Sequence, residues 1–291
     1  MSELRDMEYK GQDHLSKNEI YRGVLMEKQE LETFYSSWSN KELSDILFDL
    51  EVSKEKIFFC SELLKGQEIK TVLEIGCGFG GNLDALNKQL TIEYGLGVDF
   101  SKSAIDYANL NFATNNIHFH QSTTLDIETT VKEIQQLYPK KFDLVVLVDL
   151  LEHIPNVKHF LKTLSPIGEL FLVKLPIENN LLENYIYPRK IYPSINHPNG
   201  HLREFDVNSV NEFITHNGFA PIEAQYYATR LNYLFPRKCI PKKLLSKIVY
   251  FLSIAMTWFV RLIFHKKLAL KICPGGNFIF ISKWSESWLV E

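Results

Sequence analysis

A short apolar run that opens into a glycine-rich turn constrains the fold of this chain more than any other stretch. Residues 72–82 read Val-Leu-Glu-Ile-Gly-Cys-Gly-Phe-Gly-Gly-Asn, and the residues after them can form a helix. Glycine tolerates positive φ and has no Cβ, so a ligand can approach the backbone of such a turn closely. Amides at the start of the following helix would then face that ligand. The pattern predicts a nucleotide-type binding turn at the carboxyl end of a first strand.

Strands and helices alternate from residue 71 onward, which predicts a parallel sheet covered by helices. Residues 142–148 are nearly all apolar, as expected of a central strand that is buried on both faces. Pro176 is expected to end the fifth strand. The predicted strands are 71–75, 93–98, 117–120, 142–148, 169–175, 220–227 and 277–284, and the helices between them include one capped by Ser101 and others at 129–137, 156–163 and 207–216.

The predicted fold class is α/β, with a Rossmann-like, doubly wound and mostly parallel seven-stranded sheet. No helix fits between the glycines at 275 and 276 and the last strand, so this strand is expected to pair antiparallel with the sixth. Residues 1–66 are amphipathic and predict an N-terminal helical cap, in which Asn40 and Ser53 would cap two separate helices. Residues 67–291 would form the main domain, with a hydrophobic helical insertion at 229–275 and a long loop at 177–205 that is expected to be functional.

Composition narrows the functional classes. A net charge of −3 and a pI near 6.3 argue against a general nucleic-acid partner. The first residues contain no apolar segment typical of a secretory signal, which favours the cytoplasm. The four cysteines at 60, 77, 239 and 273 form no CxxC pair, so free thiols are expected and the cysteines predict no metal site.

Several motifs in order resemble the class I S-adenosylmethionine-dependent methyltransferases, particularly the small-molecule group with Leu-Glu-His-Ile-Pro after the fourth strand. The resemblance covers residues 70–228 and 277–284. It rests on Glu74-Ile-Gly-Cys-Gly-Phe-Gly, on Asp99 after the second strand, on 149–155, on His201-Leu-Arg-Glu-Phe-Asp, and on the closing helix–strand–strand order. It implies S-adenosylmethionine as the cofactor and methyl transfer to an O or N atom of a small molecule, including lipid-linked or glycan-derived acceptors.

The resemblance also implies the residues of a cofactor site. Asp99 would accept hydrogen bonds from both ribose hydroxyls, because a carboxylate has two acceptor oxygens. Glu74 would organise the glycine turn or meet the amino group of the cofactor, and Asp126 would lie near the adenine amino group. The full implied set is Glu74, Gly76, Cys77, Gly78, Gly80, Asp99, Phe100, Asp126 and Asp149.

Histidines near the predicted site are candidates for moving the proton of the acceptor. His153 is the first candidate for a general base, because the reference pKa of histidine lies near neutral pH. His201, in the long loop, is the alternative. A structural histidine that holds the loop after the fourth strand explains His153 equally simply, and a surface histidine is the simpler explanation of His201.

Two other functional classes remain open at this stage. Gly76, Gly78 and Gly81 also satisfy GxGxxG, which is typical of nicotinamide or flavin enzymes but is weak by itself. Glu74 before the glycines, the Leu-Glu-His-Ile-Pro segment and the terminal hairpin favour a methyltransferase instead. The second alternative is a cofactor-binding partner subunit without catalysis, since these motifs indicate only binding.

The insertion predicts one long helix at 241–267 that is apolar except for a narrow stripe. Its stripe consists of Ser246, Ser253, Thr257 and Arg261, and lysines flank it on both sides. Only 13 uncharged residues separate Lys247 from Arg261, fewer than the roughly 20 that span a bilayer. Basic flanks favour contact of 241–271 with an anionic membrane surface. A lid over a lipid-like acceptor, a homodimer surface and a core helix are the alternatives.

Overall fold

The computed structural model of the protein describes residues 41–182, 201–234, 240, 242 and 244–284. The predicted cap at Asn40, the helices before it, Cys239 and the middle of the predicted loop 177–205 lie outside these residues.

Seven strands form one sheet in the order β3-β2-β1-β4-β5-β7-β6. Strand β7 runs antiparallel to both of its neighbours, β5 and β6, whereas the pairs among β1 to β5 are parallel. This arrangement confirms the predicted fold class. The strands are β1 Thr71–Ile75, β2 Tyr94–Asp99, β3 Ile117–Gln121, β4 Phe142–Val148, β5 Gly168–Ile177, β6 Phe219–Ala228 and β7 Gly276–Trp284.

Helices cover both faces of the sheet, because alternate residues of each central strand point to opposite sides. On β4, Val145 and Leu147 pack in one core with α4, α5 and α6, while Leu144 and Val146 pack in the other with α1, α2 and α3. The helices are α1 Leu43–Leu63, α2 Gly81–Asn87, α3 Lys102–Phe112, α4 Ile127–Leu137, α5 Val157–Leu164, α6 Ser209–His216, α7 Leu231–Leu234, α8 Leu244–Ile263 and α9 Lys266–Ile272.

The predicted break at Ser53 is wrong, because α1 is one continuous helix. No glycine or proline interrupts residues 43–63, and the buried side chains of Ile46, Ile57 and Cys60 keep a helical spacing across the predicted break. Phe58 lies on the outer side of α1, where it is 49% exposed. The inner side of α1 belongs to the same core as the sheet, so this helix packs as part of the α/β domain.

The expected end of the fifth strand at Pro176 is also wrong. Strand β5 continues to Ile177, since β7 pairs with it up to the register Ile177 with Gly276. The pairing of β5 with β4 stops earlier, at Lys174. At Pro176 the ladder therefore needs no donor toward β4, which is a position where proline is tolerated in a strand.

The insertion forms two main helices instead of the single helix predicted at 241–267. Helix α8 ends at Ile263, and α9 starts at Lys266 after His265 adopts an extended backbone. In α8 the buried side chains are Ser253, Thr257 and Val260. The core-helix alternative is therefore wrong. By length and composition alone α8 is apolar enough to cross a membrane.

Candidate active site

The glycine turn after β1 forms a cradle of exposed backbone. Gly76 and Gly78 have φ values of 72° and 50°, in the left-handed region that favours glycine. The amides of Gly76 and Cys77 donate to the carbonyl of Val98 at 2.8 and 3.1 Å, which ties the turn to β2. A Cβ added at Gly78 would meet no atom within 4 Å, so this backbone faces open space. A ligand can approach the turn there.

A cavity of about 980 Å³ opens at the carboxyl ends of the parallel strands, next to this turn. Open α/β sheets place their ligand sites at this edge. The cavity brings together most of the predicted site residues: Gly76, Cys77, Gly78, Asp99, Phe100, Asp126, Asp149, His153 and His201.

Glu74 and Gly80 are not among the residues that line the cavity. The buried Glu74 carboxyl accepts a hydrogen bond from the Asn82 side chain at 2.9 Å, beneath the turn. Burial raises the pKa of Glu74 to about 8, against the effect of that hydrogen bond, so the group is largely neutral at pH 7. A Cβ at Gly80 would lie 2.9 Å from the Phe119 ring. Both residues shape the turn from below.

Asp99 joins the turn to the cavity. Its Oδ2 accepts the amide of Gly78 at 2.9 Å, and its Oδ1 accepts the amide of Ser101 at 2.8 Å. Burial raises the pKa of Asp99, although these amide hydrogen bonds oppose the shift. A carboxylate offers about four acceptor sites, so Asp99 can also accept a hydrogen bond from a ligand hydroxyl. With the open backbone at Gly78, this geometry fits the ribose and methionine portions of S-adenosylmethionine.

Phe100 and Asp126 line another part of the same cavity. Asp126 is exposed, and its Oδ2 accepts from both the amide and the hydroxyl of Thr129, at 2.9 and 2.7 Å. The carboxylate thus caps α4. Its contact with adenine stays a prediction, as does that of Phe100.

Asp149 is held by two lysines that the sequence interpretation missed. Its Oδ2 lies 2.7 Å from Nζ of Lys56 on α1, and its Oδ1 accepts a hydrogen bond from Nζ of Lys174 on β5. Burial alone would raise the pKa of Asp149, but the ammonium groups of Lys174 and Lys56 outweigh burial and lower it. Asp149 also has a positive φ of 52°, which is uncommon outside glycine and asparagine.

The Leu-Glu-His-Ile-Pro segment places Glu152 and His153 against His201. The rings of His153 and His201 pack edge to face, with their centroids 4.7 Å apart. Nδ1 of His201 lies 2.6 Å from Oε2 of Glu178. Burial alone would lower the pKa of His201, but Glu178 outweighs it and raises the pKa. A raised pKa leaves less of His201 in the neutral form that can accept a proton, whereas His153 is partly exposed in the cavity.

Glu152 is fully buried, and both of its carboxylate oxygens lack a hydrogen-bond partner among the described residues. Burial and the charge of Asp149 raise its pKa to about 7. One ligand atom each from Glu152, His153 and His201 lie within 4.8 Å of one another. Carboxylate and imidazole groups in this arrangement could hold a divalent cation. The sequence interpretation, based on the cysteines, predicted no metal site.

Arg203 fixes this segment and was also missed from sequence. Its guanidinium donates to the carbonyls of Ile154 and Pro155, the latter at 2.6 Å. The amide of Leu202 donates to the backbone carbonyl of Glu152 at 2.9 Å. Arg203 is only 8% exposed, so it acts as an internal clamp between the late loop and the turn after β4.

Comparisons with known proteins agree with this geometry. Residues 73–167 match the family model described as a methyltransferase domain. The ubiquinone biosynthesis O-methyltransferase of Coxiella burnetii is 33% identical over 128 residues, which is 43% of this chain and 49% of that protein. The protein of the same name from Histophilus somni is 27% identical over 155 residues, 50% of this chain and 63% of that one. The chain spans about half the length of the curated relatives it matches.

Solved structures share the fold at low sequence identity. A putative methyltransferase of Haloferax volcanii, in complex with the Trm112 activator, superposes with a TM-score of 0.54 and 15% identity, over 87% of this chain and 98% of that one. Geranyl diphosphate C-methyltransferase of Streptomyces coelicolor gives a TM-score of 0.50 and 12% identity, over 79% and 80% of the two chains. The solved structures show the fold alone. With the family match over residues 73–167 and the sheet order, they support a class I S-adenosylmethionine-dependent methyltransferase domain in this chain.

Proposed function

We propose that the protein transfers the methyl group of S-adenosylmethionine to an oxygen atom of a small, lipid-soluble acceptor. The observation that carries the proposal is one cavity that brings two kinds of chemistry together. The glycine turn and Asp99 line this cavity, and so do His153 and His201. The relatives' name, ubiquinone biosynthesis O-methyltransferase, supports an oxygen acceptor and a lipid-soluble product.

The cofactor would supply an electrophilic methyl group on a sulfonium, so the protein mainly has to align the reactants and exclude water. The backbone of Gly76 and Gly78 and the carboxylate of Asp99 hold the donor side. A ring nitrogen of His153 would take the hydroxyl proton of the acceptor. The acceptor oxygen would bond to the methyl carbon as the bond from that carbon to the sulfonium sulfur breaks and S-adenosylhomocysteine leaves. His201, with its raised pKa and its Glu178 partner, keeps the neighbouring ring in place.

The central experiment is a methyl-transfer screen with isotope-labelled cofactor over phenols, lipid-linked alcohols, sugars and amines. We expect labelled product with hydroxyl acceptors that carry an apolar tail. Transfer to amines or sugars alone would contradict the acceptor class. Cofactor binding without transfer to any acceptor would instead favour the partner-subunit alternative.

The proton-transfer role is tested by His153→Ala on the acceptor found in that screen. We expect kcat to fall by about 10²- to 10⁴-fold, as general-base removal usually causes. The dissociation constant of S-adenosylhomocysteine, measured by calorimetry, should stay unchanged. His216→Ala is the matched control, because this exposed histidine on α6 donates from Nδ1 to the carbonyl of Glu212 at 2.7 Å and is absent from the cavity lining. Full turnover in the His153 variant would return that residue to a structural role.

A further inference from the structure

Helix α8 buries polar side chains and exposes apolar ones, the opposite of an ordinary surface helix. Its polar residues Ser253 and Thr257 are 2% and 0% exposed. By contrast, Trp258, Phe259 and Leu262 are 56%, 56% and 66% exposed. A surface helix of a globular protein normally turns its apolar stripe toward the core. Here the apolar stripe faces outward.

The outward apolar surface is large. Helix α8, the short link after it and the start of α9 expose twelve large apolar side chains by 40% or more. Contiguous patches of this kind usually mark sites of interaction with another protein or a membrane. The twelve side chains are Leu244, Leu245, Ile248, Val249, Phe251, Leu252, Trp258, Phe259, Leu262, Ile263, Phe264 and Leu268.

Specific contacts fix this orientation. The buried side of α8 carries Arg261, whose guanidinium donates to the carbonyls of Thr229 and Pro274 at 2.6 and 2.8 Å. These two carbonyls lie at the two ends of the insertion, so the Arg261 side chain links the start of the insertion to its end. Val260 packs with Ala269 in a small core of its own. The hydrogen bonds of Arg261 and the packing of Val260 therefore hold α8 with its apolar face toward the outside.

Charge indicates what covers this face. Ten of the chain's 32 Lys and Arg residues fall within 229–275, which contains no Asp or Glu. The rest of the chain then carries 22 basic against 35 acidic residues. Lysines at 242, 247, 266 and 271 are exposed beside the apolar side chains. An apolar surface with a basic margin, on an otherwise acidic protein, complements an anionic bilayer surface.

A bilayer crossing does not fit the connections of the insertion. Ala228, at the end of β6, pairs with Gly276, at the start of β7, so the chain leaves and re-enters the sheet at one point. Helix α8 has 20 residues and is about 30 Å long, but the return helix α9 has seven and covers only about 10 Å. One crossing would place the last strand on the wrong side of the membrane.

We propose that residues 244–271 form a docking surface on which α8 lies in the interface of an anionic membrane. Trp258, Phe259 and their neighbours enter the boundary between headgroups and acyl chains, while the flanking lysines contact lipid phosphates. Thr229, whose carbonyl binds Arg261, also lines the active-site cavity. The buried side of α8 therefore contacts a residue of the cavity wall. This surface goes beyond the proposed function and does not depend on methyl transfer.

Vesicle co-sedimentation of the full chain tests the proposal. The probes are phosphatidylcholine vesicles with and without about one third phosphatidylglycerol, at about 0.1 M salt. The apolar variant is Phe251→Ser with Trp258→Ser and Leu262→Ser. Its matched control is Leu110→Ser with Leu137→Ser and Ile222→Ser, three exposed apolar residues elsewhere on the surface.

We expect the wild type and the control to sediment with anionic vesicles and the apolar variant to bind about a hundredfold more weakly. Lys266→Gln with Lys271→Gln should weaken binding by about fivefold for each lysine. The paired control, Lys65→Gln with Lys88→Gln, changes lysines whose partners are Glu62 and Asp84 and should have no effect. Unchanged affinity for S-adenosylhomocysteine verifies that each variant is folded.

Four results would overturn the proposal. The wild type could fail to bind anionic vesicles, or the apolar variant could bind as well as the wild type. Equal binding to neutral vesicles, insensitive to the lysine changes, would refute the anionic partner. Sedimentation velocity covers the fourth result: a dimer that the apolar variant splits, with no vesicle binding, would show that α8 pairs with a second copy of the chain.

Discussion

The change Asp149→Asn isolates the charge that holds Lys56 and Lys174 at the floor of the cavity. Asparagine keeps the size of the side chain and tolerates the positive φ of 52° observed at this position. The substitution therefore removes the negative charge with little added backbone strain. Asp149→Ala would mix the two effects and is the poorer variant.

The expected cost follows from the burial of the partners. Lys174 is 5% exposed and has no solvent to replace its carboxylate, whereas Lys56 and Asp149 are each 25% exposed. Removing one partner of a buried ion pair costs about 3–5 kcal/mol. Because two of the three groups reach the cavity and its water, we expect a value near the lower end, about 3 kcal/mol. Lys174→Met in the same background should recover most of this loss, since the stranded charge is then gone.

Urea unfolding measures these effects through the midpoint at a constant m-value. The lowered pKa of Asp149 means that its stabilisation is fully present above the unfolded-state pKa, near 4, and is lost only as pH falls through the lower folded-state pKa. Burial raises the pKa of Glu152 to about 7 together with the charge of Asp149, and the variant lacks that charge. The variant should therefore lose less stability than the wild type as pH rises from about 5 to 8, so the cost of Asp149→Asn should be larger near pH 5 than near pH 8. A cost below about 1 kcal/mol, or strictly additive single substitutions, would refute the buried triad.

Three further predictions concern the donor side of the cavity. Asp99→Ala should weaken S-adenosylhomocysteine binding by about a hundredfold in calorimetry, because hydrogen bonds to a charged group contribute about 1.5–3 kcal/mol; unchanged affinity would contradict the ribose contact. Gly80→Ala should lower the free energy of unfolding more than Gly78→Ala does, because its Cβ would lie 2.9 Å from the Phe119 ring. Gly78→Ala should instead cause the larger loss of cofactor affinity. The reverse order would refute the assigned roles. The pKa of Glu74 is raised to about 8, so the folded state holds a proton that the unfolded state releases, and wild-type stability should fall as pH rises from about 4 to 8. Glu74→Gln should remove that part of the pH dependence of the urea midpoint. An unchanged pH dependence would contradict the neutral carboxyl.

The sheet and the donor side were predictable from sequence because they depend on local patterns. Strand β4 was identified with its observed ends, since seven nearly all-apolar residues between polar neighbours indicate a strand buried on both faces. The glycine turn and Asp99 follow the ends of consecutive strands, and carboxyl ends of parallel strands meet at one edge. Short-range spacing was therefore enough to predict the fold class and the cofactor side of the site, namely the glycine turn and Asp99.

Groups that meet only through the tertiary fold could not be predicted in the same way. Lys56 lies about a hundred positions before its partner Asp149, and no periodicity links the two. Lys174 did leave a signal, since a lysine inside the apolar strand 169–175 needs a buried partner. Arg203 left none, because a guanidinium that binds carbonyls looks like any surface arginine in the sequence. The break at Ser53 failed because a good N-cap residue can also lie within a helix that has a continuous buried face.

The cavity and the insertion are connected through consecutive residues of α1. Glu55 is 5% exposed, and its Oε1 accepts the amide of Arg230 at 2.9 Å, where the chain leaves β6 for the insertion. The next residue, Lys56, binds Asp149 in the cavity. From Arg230 the backbone is one residue from Thr229, to which Arg261 of α8 is anchored. A docked α8 would therefore have a short path of polar contacts to Asp149, and the membrane would fix the orientation of the cavity relative to its surface. A lipid-soluble acceptor would then reach the site from the side on which it is dissolved.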